Sequence, residues 1–274
     1  MLRERDSLTN KRFTPGRIAE VGLRAEIEAP SRDAVELERD EARQIQQSLL
    51  PVGPLKGATF EISYRFSPFS NVGGDFADFF TLPDGYVGLY VGDVVGKGLS
   101  AAMYAALVMG TLRSIHKTGE DTATVLALLN KRLLVRPVAG RYSATLYAIF
   151  SPLTRELIFS NAGLPHPLLV SESGCTLLGS GGFPSGLLPG STYDLHTVQL
   201  AAGDVVLFAT DGLHELRDSN DQDFSWDKMG EIWRQCRSKS AEESLDFLFE
   251  GAKQFSESGR QHDDITAVVL KVQS

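Results

Sequence analysis

Four acidic sites in the sequence each adjoin an apolar run or a glycine-rich turn. They are Asp75, Asp93, Asp211 and the pair Asp263 and Asp264. A carboxylate at the end of a buried strand is costly to desolvate unless a positive charge lies beside it. Several carboxylates that converge from separate strands make a cage of hard oxygen ligands, which suits Mg²⁺ or Mn²⁺. The pattern therefore indicates a divalent-cation site.

The neighbouring residues narrow the choice of metal. Only five histidines occur, and none forms an HxxxH or HExxH arrangement, so the sequence disfavours a zinc hydrolase. Glycines such as Gly74 and Gly92 let the backbone turn sharply and bring carbonyl oxygens close to an ion. Each motif alone is typical of an ordinary turn, and the prediction rests on their ordered combination over about 190 residues.

Short strands and helices must bring these acids together. From residue 58 onward the sequence is rich in β-branched and aromatic residues, with Gly, Pro and Asp between the runs. The predicted strands are 58–66, 86–92, 142–150, 156–161, 204–210 and 265–272. The predicted helices are 99–116, 122–134, 226–236 and 241–255. Both helix pairs lie between runs of strands, so we expect antiparallel sheets with helices on their outer faces.

The chain divides into three predicted parts: a flexible leader over 1–30, a linker or regulatory helix over 31–51, and one domain over 52–274. Ser31 is a plausible N-cap of the helix, and Pro51 ends it. An apolar stripe follows one side of this helix at Val35, Ala42, Ile45 and Leu49. Two interpretations stay open: the stripe packs on its own domain, or it also pairs with a second chain as a homodimer through 31–50.

Composition excludes several classes of protein. A formal net charge of −8 disfavours nucleic-acid binding, which needs a basic surface. No apolar run approaches the roughly 18–20 residues that span a bilayer, and no signal peptide is recognisable. Cys175 and Cys236 are isolated, which is typical of a reducing compartment. We therefore expect a cytoplasmic protein with no membrane or nucleic-acid partner.

The ordered motifs resemble the PPM metal-dependent phosphatases, in particular the bacterial subgroup typified by stage II sporulation protein E and the sigma-B regulator phosphatases. The motifs are ARQIQQSLLP at 42–51, GGDF at 73–76, GDVVGKG at 92–98 with Ala101 and Ala102 behind it, NAG at 161–163, TDGL at 210–213 and DDIT at 263–266. The resemblance covers about residues 40–272.

This resemblance implies an α+β fold, a four-layer αββα sandwich of two antiparallel sheets flanked by helices, with an N-terminal helical extension. It also implies two Mn²⁺ or Mg²⁺ ions at one end of the sheets. Asp93 would bridge the ions, helped by the carbonyl of Val94, and Asp211 and Asp263 would bind the second ion. Asp75 would complete the site directly or through water. Asp93 and Asp211 are the expected catalytic residues.

The resemblance further implies hydrolysis by a water held between the two cations, without a phosphoenzyme. Asp264, Gly74 and Gly92 are expected to support the site, Asp264 through hydrogen bonds. Lys97 and Gly98 precede a predicted helix whose N-terminus could hold a phosphate, although a solvated lysine is an equal interpretation.

The implied substrate is phosphoserine or phosphothreonine on a regulatory protein, namely a small anti-anti-sigma (STAS-type) domain. Two rival functions are a diguanylate cyclase, because GGDF also occurs there, and a catalytically silent module that sequesters a phosphoregulated partner. Against the first, no nucleotide-binding context follows GGDF; against the second, all four principal aspartates are retained.

Two residues depart from the family pattern: Ala77 replaces the usual aromatic, and Leu164 stands where a histidine is common. Asp78 is retained, as a candidate for accessory metal binding or for indirect support of a metal ligand.

Overall fold

The computed structural model describes residues 32–236, 238–256 and 261–273. The helices are α1 Arg32–Leu49, α2 Leu99–Ile115, α3 Thr122–Leu133, α4 Asp211–His214, α5 Trp226–Arg234 and α6 Ala241–Phe255. The first strands are β1 Leu55–Lys56, β2 Phe60–Ser67, β3 Phe76–Thr81, β4 Val87–Val94, β5 Ser143–Ser151 and β6 Glu156–Ala162. They are followed by β7 Leu168–Ser171, β8 Gly174–Leu177, β9 His196–Gln199, β10 Val205–Ala209 and β11 Ile265–Val272. The predicted leader and Ser31 lie outside the described residues.

The strands form two sheets in which all of the described pairings are antiparallel. One sheet has the order β1-β2-β11-β10-β7-β8 and the other the order β3-β4-β5-β6-β9. The last strand, β11, is the central member of the first sheet because it pairs with both β2 and β10. The C-terminal end of the chain therefore holds the two halves of that sheet together.

Three apolar layers hold the sheets and helices together. The inner faces of the sheets meet in a core that includes Ile62, Leu89, Phe150 and Val268. A second layer lies between α2, α3 and the five-stranded sheet, and a third lies between α5, α6 and the six-stranded sheet. Every residue of β11 is buried, because both faces of this strand are covered. Strands of this kind have largely apolar sequences. The predicted four-layer αββα sandwich is confirmed.

Local sequence signals define the ends of the helices. Asp121 caps α3 by accepting a hydrogen bond from the Thr124 amide at 2.7 Å, and Ser240 with Glu243 forms a capping box on α6. Within the described residues, none of the helices is both long and apolar enough to cross a membrane.

The predicted helices match the observed ones within three residues at each end, but several strands were not predicted. They are β1, β3, β7, β8 and β9. The strands β1, β7, β8 and β9 have two to four residues each, too short to show a period. β3 begins at Phe76, the last residue of the GGDF motif, and no strand was predicted there.

Candidate metal centre

Strand pairing in the five-stranded sheet brings the first two aspartates together. Phe76 of β3 pairs with Gly92 of β4, so Asp75 and Asp93 lie at the same end of these strands. A side chain at position 92 would meet the Phe76 ring, because a Cβ atom there would lie 2.1 Å from the nearest ring carbon. Glycine is therefore required at position 92 for β4 to carry Asp93 beside Asp75.

The six-stranded sheet places the other acids in the same way. Ala209 of β10 pairs with Ala267 of β11, so Asp211 just after β10 faces the segment just before β11, which carries Asp264. A Cβ atom at Gly212 would lie 2.0 Å from the Asp264 carbonyl oxygen. The close approach of these two backbones depends on that glycine.

Hydrogen bonds join the acids of the two sheets into one cluster. The Thr210 hydroxyl donates to Asp75 Oδ2 at 2.7 Å. The Asp264 carboxylate accepts from the amide of Gly74 at 2.6 Å and from the amide of Phe69 at 2.7 Å. Asp264 is 3% exposed, so these bonds satisfy a buried carboxylate and support its predicted hydrogen-bonding role.

The electrostatics of the cluster disfavour ionisation in the absence of added positive charge. Burial, followed by the charges of Asp93 and Asp264, raises the pKa of Asp75 well above its usual value. Burial, followed by the charge of Asp211, raises the pKa of Asp93 to about 7. The pKa of Asp211 is raised by burial and then by Asp263, and that of Asp264 is raised chiefly by burial. Because these carboxylates raise one another's pKa, they can be ionised together only if a positive charge lies among them.

The donor set has the chemistry that Mn²⁺ and Mg²⁺ prefer, although the carboxylates are not arranged as a finished cage. Among the described residues, no three Asp, Glu, His or Cys side chains form a group that encloses a single ion position. Several carboxylates are instead turned towards internal donors: Asp75 to Thr210, and Asp264 to backbone amides. Strand pairing nevertheless places Asp75 beside Asp93, and Asp211 beside the 263–264 segment. The carboxylate oxygens of this cluster are of the kind that a hard cation prefers.

The backbone around Val94 is packed closely against the GGDF turn. A Cβ atom at Gly74 would lie 2.7 Å from the Val94 carbonyl oxygen and 3.3 Å from the Gly96 carbonyl oxygen. The carbonyl predicted as a metal ligand therefore lies against the glycine that precedes Asp75. Any larger residue at position 74 would displace one of these two segments.

Lys97 contacts the aspartate cluster. Its Nζ atom lies 2.9 Å from Asp263 Oδ2, donates to the His262 carbonyl, and lies 4.8 Å from the centre of the Phe69 ring. Gly98, the other residue predicted to contact phosphate, is the N-cap of α2 and has a φ of 70°. In this structure Lys97 is thus an ion-pair partner of a predicted metal ligand, and phosphate binding by Lys97 and Gly98 stays a prediction.

Asp78 is held by polar partners from β4 and α2, so its accessory metal binding stays a prediction. The Arg113 guanidinium pairs with Asp78 at 2.7 Å, and the Tyr90 hydroxyl donates to it at 3.1 Å. Residues 76, 78 and 80 of β3 alternate with 77 and 79, so Asp78 faces α2 together with Phe76. Asp78 is therefore a structural ion pair under the helical layer.

Two residues near the site were not predicted to contact it, although Gln46 lies within the 42–51 motif. The Arg141 guanidinium donates to the Val95 carbonyl and, at 2.8 Å, to the Ser100 hydroxyl, so it ties the 94–100 loop to the start of β5. Gln46 of α1 bonds to the backbone of Gly73. Both contacts join segments far apart in sequence, which local patterns do not report.

The departures from the family pattern are accommodated by packing. Ala77 and Leu164 are both buried in the core between the sheets. The Asn161 side chain bonds to both the amide and the carbonyl of Leu164, at 2.9 and 2.8 Å. His166 lies elsewhere, with its Nδ1 atom 3.2 Å from the Leu178 carbonyl. Leu164 therefore serves as a core residue in this turn.

Comparison with solved structures identifies the class of fold. The SiaA-PP2C domain of Pseudomonas aeruginosa aligns with a TM-score of 0.75 at 18% identity, over 87% of this chain and 97% of that domain. The catalytic domain of the serine/threonine protein phosphatase PstP, solved with two manganese ions, aligns with a TM-score of 0.59 at 15% identity, over 79% of this chain and 99% of that domain. The protein therefore has the PP2C phosphatase fold.

Sequence comparison identifies the family. The family model for Stage II sporulation protein E (SpoIIE) matches residues 83–273, and the chain belongs to that family. The protein IcfG of Synechocystis sp. (strain ATCC 27184 / PCC 6803 / Kazusa) is 26% identical over 262 residues, covering 85% of this chain but only 41% of IcfG. The phosphoserine phosphatase RsbU of Bacillus subtilis (strain 168) is 22% identical over 232 residues, covering 84% of this chain and 68% of RsbU. The resemblance predicted from the motifs is confirmed.

Proposed function

We propose that the protein is a metal-dependent protein serine/threonine phosphatase. The observation that carries this proposal is the buried aspartate cluster, in which acids from both sheets raise one another's pKa at one end of the sandwich. A cluster of uncompensated carboxylates destabilises a scaffold unless it binds cations. Membership of the SpoIIE family and similarity to a phosphoserine phosphatase support the same activity.

Oxygen donors of the cluster would hold the cations. Asp93 and the Val94 carbonyl would contact one or both ions, Asp211 and Asp263 the second, and Asp75 would bind directly or through water. A pair of Mn²⁺ or Mg²⁺ ions supplies an activated water nucleophile and neutralises charge on the phosphoryl group. The two manganese ions of PstP support this number of ions.

The protein's own residues orient the predicted ligands. The Thr210 hydroxyl fixes one carboxylate oxygen of Asp75, and Asp264 fixes the turn before Asp75 through the Gly74 amide. We propose that these ligands serve hydrolysis by water, without a covalent phosphoenzyme.

For the substrate, we propose a small phosphorylated regulatory domain of the anti-anti-sigma (STAS) type. Support comes from the subgroup motifs at 42–51 and 92–98 and from the similarity to RsbU. A partner of this kind acts in the cytoplasm, where we propose that the phosphatase acts too.

A panel of phosphoproteins tests the substrate proposal. Phosphorylated STAS-type domains and unrelated phosphoserine proteins of similar size are incubated with the protein and Mn²⁺, and phosphate release is measured. We expect faster release from the STAS-type domains. Release from unrelated phosphoproteins alone would contradict the substrate class but leave the phosphatase activity established.

We also propose that the regulatory helix pairs with a second copy of the chain. In α1, Ala42 and Leu49 are half-buried and pack towards α2, whereas Leu37 and Ile45 are 62% and 64% exposed. The helix therefore packs on its own domain through Ala42 and Leu49, whereas Ile45, which lines the edge of the same groove, and Leu37 stay largely exposed. Exposed apolar residues of this kind are typical of a helix–helix interface.

A further inference from the structure

One face of α1 contacts the loop that leads into the GGDF turn. Arg43 and Gln46 are three residues apart, so they lie on the same side of the helix. The Arg43 guanidinium donates to the Asn71 carbonyl at 3.2 Å and to the Asn71 side chain at 3.0 Å. Gln46 reaches the backbone of Gly73, and Val72 between the two contacts is 4% exposed. The helix therefore holds the loop at two points around a buried residue.

The contact of Gln46 with Gly73 uses both ends of the side-chain amide. Gln46 Nε2 donates to the Gly73 carbonyl at 2.7 Å, and the Gly73 amide donates to Gln46 Oε1 at 3.1 Å. This pairing resembles the reciprocal bonds of two residues in an antiparallel sheet. Gln46 is 9% exposed, so removal of its side-chain amide would leave two buried backbone groups without partners.

The next residue of the turn is held from the opposite end of the chain. Asp264 accepts from the Gly74 amide at 2.6 Å, and there is no room for a side chain between Gly74 and the Val94 carbonyl. Gln46 and Asp264 thus fix two consecutive residues immediately before Asp75. The backbone that carries Asp75 has its position set by α1 as well as by the catalytic domain.

The C-terminal end of α1 is fixed as well. The Arg113 guanidinium, already paired with Asp78, donates to the Leu49 carbonyl. This bond joins the last turn of α1 to α2 and, through Asp78, to β3. A shift of α1 would therefore disturb the Gln46 contact and this anchor together.

We propose that Gln46 is a positioning residue of the metal centre, which couples the placement of α1 to the backbone of Gly73, Gly74 and Asp75. This role rests on the proposed function, because it requires the aspartate cluster to bind divalent cations. One buried side chain, that of Gln46, then couples α1 to the metal centre. A partner that displaces α1 would weaken cation binding by breaking the Gln46 contact.

The test compares Gln46→Glu with Gln44→Glu. Both substitutions add one negative charge to α1, but Gln44 is exposed, whereas Glu at position 46 would face the Gly73 carbonyl with an oxygen in place of the Nε2 donor. Gln46→Met, which keeps the length of the side chain without added charge, serves as a second variant. The readouts are the Mn²⁺ dissociation constant by calorimetry, hydrogen–deuterium exchange of peptides covering 71–76, and the melting temperature of the metal-free protein.

We expect both Gln46 variants to bind Mn²⁺ about tenfold more weakly or worse, the range typical for loss of an outer-shell partner. Exchange in 71–76 should rise in both, while Gln44→Glu matches the wild type. A purely structural role would lower the melting temperature without a selective effect on Mn²⁺ affinity and would overturn the proposal. Equal affinity and equal exchange in the Gln46 and Gln44 variants would overturn it too.

The outcome is separable from that of the proposed function. A wild-type protein that binds Mn²⁺ but releases no phosphate would refute the phosphatase activity, and the affinity comparison would still decide the role of Gln46. A wild-type protein that binds no Mn²⁺ would contradict both proposals.

Discussion

At the scale of single residues, the buried aspartates oppose folding when they ionise without a cation. The pKa of Asp93 is raised from 3.8 to about 7, first by burial and then by Asp211. Between these two values the folded protein keeps a proton that the unfolded chain has released. Linkage then requires the free energy of unfolding of the metal-free protein to fall as pH rises through this window, and to level off above it.

Asp93→Asn should therefore stabilise the metal-free protein near neutral pH. We expect a gain of about 1–2 kcal/mol at about pH 7.5, which shrinks towards about pH 4, because the substitution removes a carboxylate that ionises unfavourably. Urea denaturation in the presence of a chelator measures this difference. Glu120→Gln, which removes a charge at an exposed position, is the control and should show no such pH dependence. The expected effect of Asp93 would be contradicted if the wild type became more stable relative to Asp93→Asn as the pH rises from about 4 to about 7.

Gly74→Ala should damage the centre through backbone displacement alone. The new Cβ atom would lie 2.7 Å from the Val94 carbonyl oxygen, and neither backbone can yield without moving Asp75 or Val94. We expect a loss of about 1–3 kcal/mol of stability and weaker Mn²⁺ binding. Gly53→Ala is the matched control, because nothing lies within 4 Å of a Cβ atom there. Equal behaviour of the two variants in calorimetry would refute the close packing at Gly74.

The chemistry of single residues could be predicted from the sequence where a local motif encodes it. The aspartates each adjoin a strand or a glycine turn, so their types and spacing predicted an oxygen cage. The contacts of Gln46 and Arg141 were not predicted, because their partners lie 27 and 46 residues away along the chain, although Gln46 lies within the 42–51 motif. The ion pair of Asp78 with Arg113 was not predicted, because it depends on which face of β3 Asp78 occupies, and β3 itself was not predicted.

At the scale of elements, α1 is the helix that contacts its own domain through only part of its surface and leaves apolar side chains exposed. Leu37 and Ile45 lie eight residues apart, about 2.2 helical turns and so about 80° around the helix axis, and are 62% and 64% exposed. The side that carries Gln46 is used in the contact with the GGDF turn. The two sides of α1 can therefore serve two contacts at once.

Leu37→Asp combined with Ile45→Asp should abolish pairing of the chain with a second copy. Both side chains are exposed in the single chain, so charge is tolerated there, whereas in an interface it would be buried without a partner. Sedimentation velocity should show the wild type as a dimer and the double variant as a monomer with an unchanged melting temperature. Gln44→Asp, at an exposed polar position of the same helix, is the control. A wild type and double variant that sediment alike would rule out pairing through these residues.

The sequence predicted the elements with strong periodicity and missed those without it. α2, α3, α5 and α6 have long apolar patterns, and β4, β5 and β11 are continuous apolar runs covered on both faces. β8 and β9 have four residues each at the edges of the sheets, and half of their residues or more are partly exposed. Such strands are stabilised by pairing with a neighbour, which a local pattern does not encode.

At the scale of the whole molecule, cation binding should stabilise the fold, because the ligands come from both sheets. A ligand that binds only the folded state adds about 2.7 kcal/mol at a concentration of 100 times its dissociation constant. We expect saturating Mn²⁺ to raise the melting temperature by several degrees, and a chelator to reverse the change. Asp211→Asn should remove most of this effect. An equal shift in Asp211→Asn and wild type would place the bound ions elsewhere.

The aspartate cluster is proposed here to be a cation-dependent hydrolytic centre. The direct measurement is phosphate release from a phosphoserine peptide, with Mn²⁺ or with a chelator, by the wild type, Asp93→Asn and Asp211→Asn. We predict release only with Mn²⁺ and a loss of at least about 100-fold in each variant, because each removes a ligand that holds the reacting centre. Release that persists in the chelator or in both variants would contradict the claim, and Mn²⁺ binding without release would favour a silent binding module.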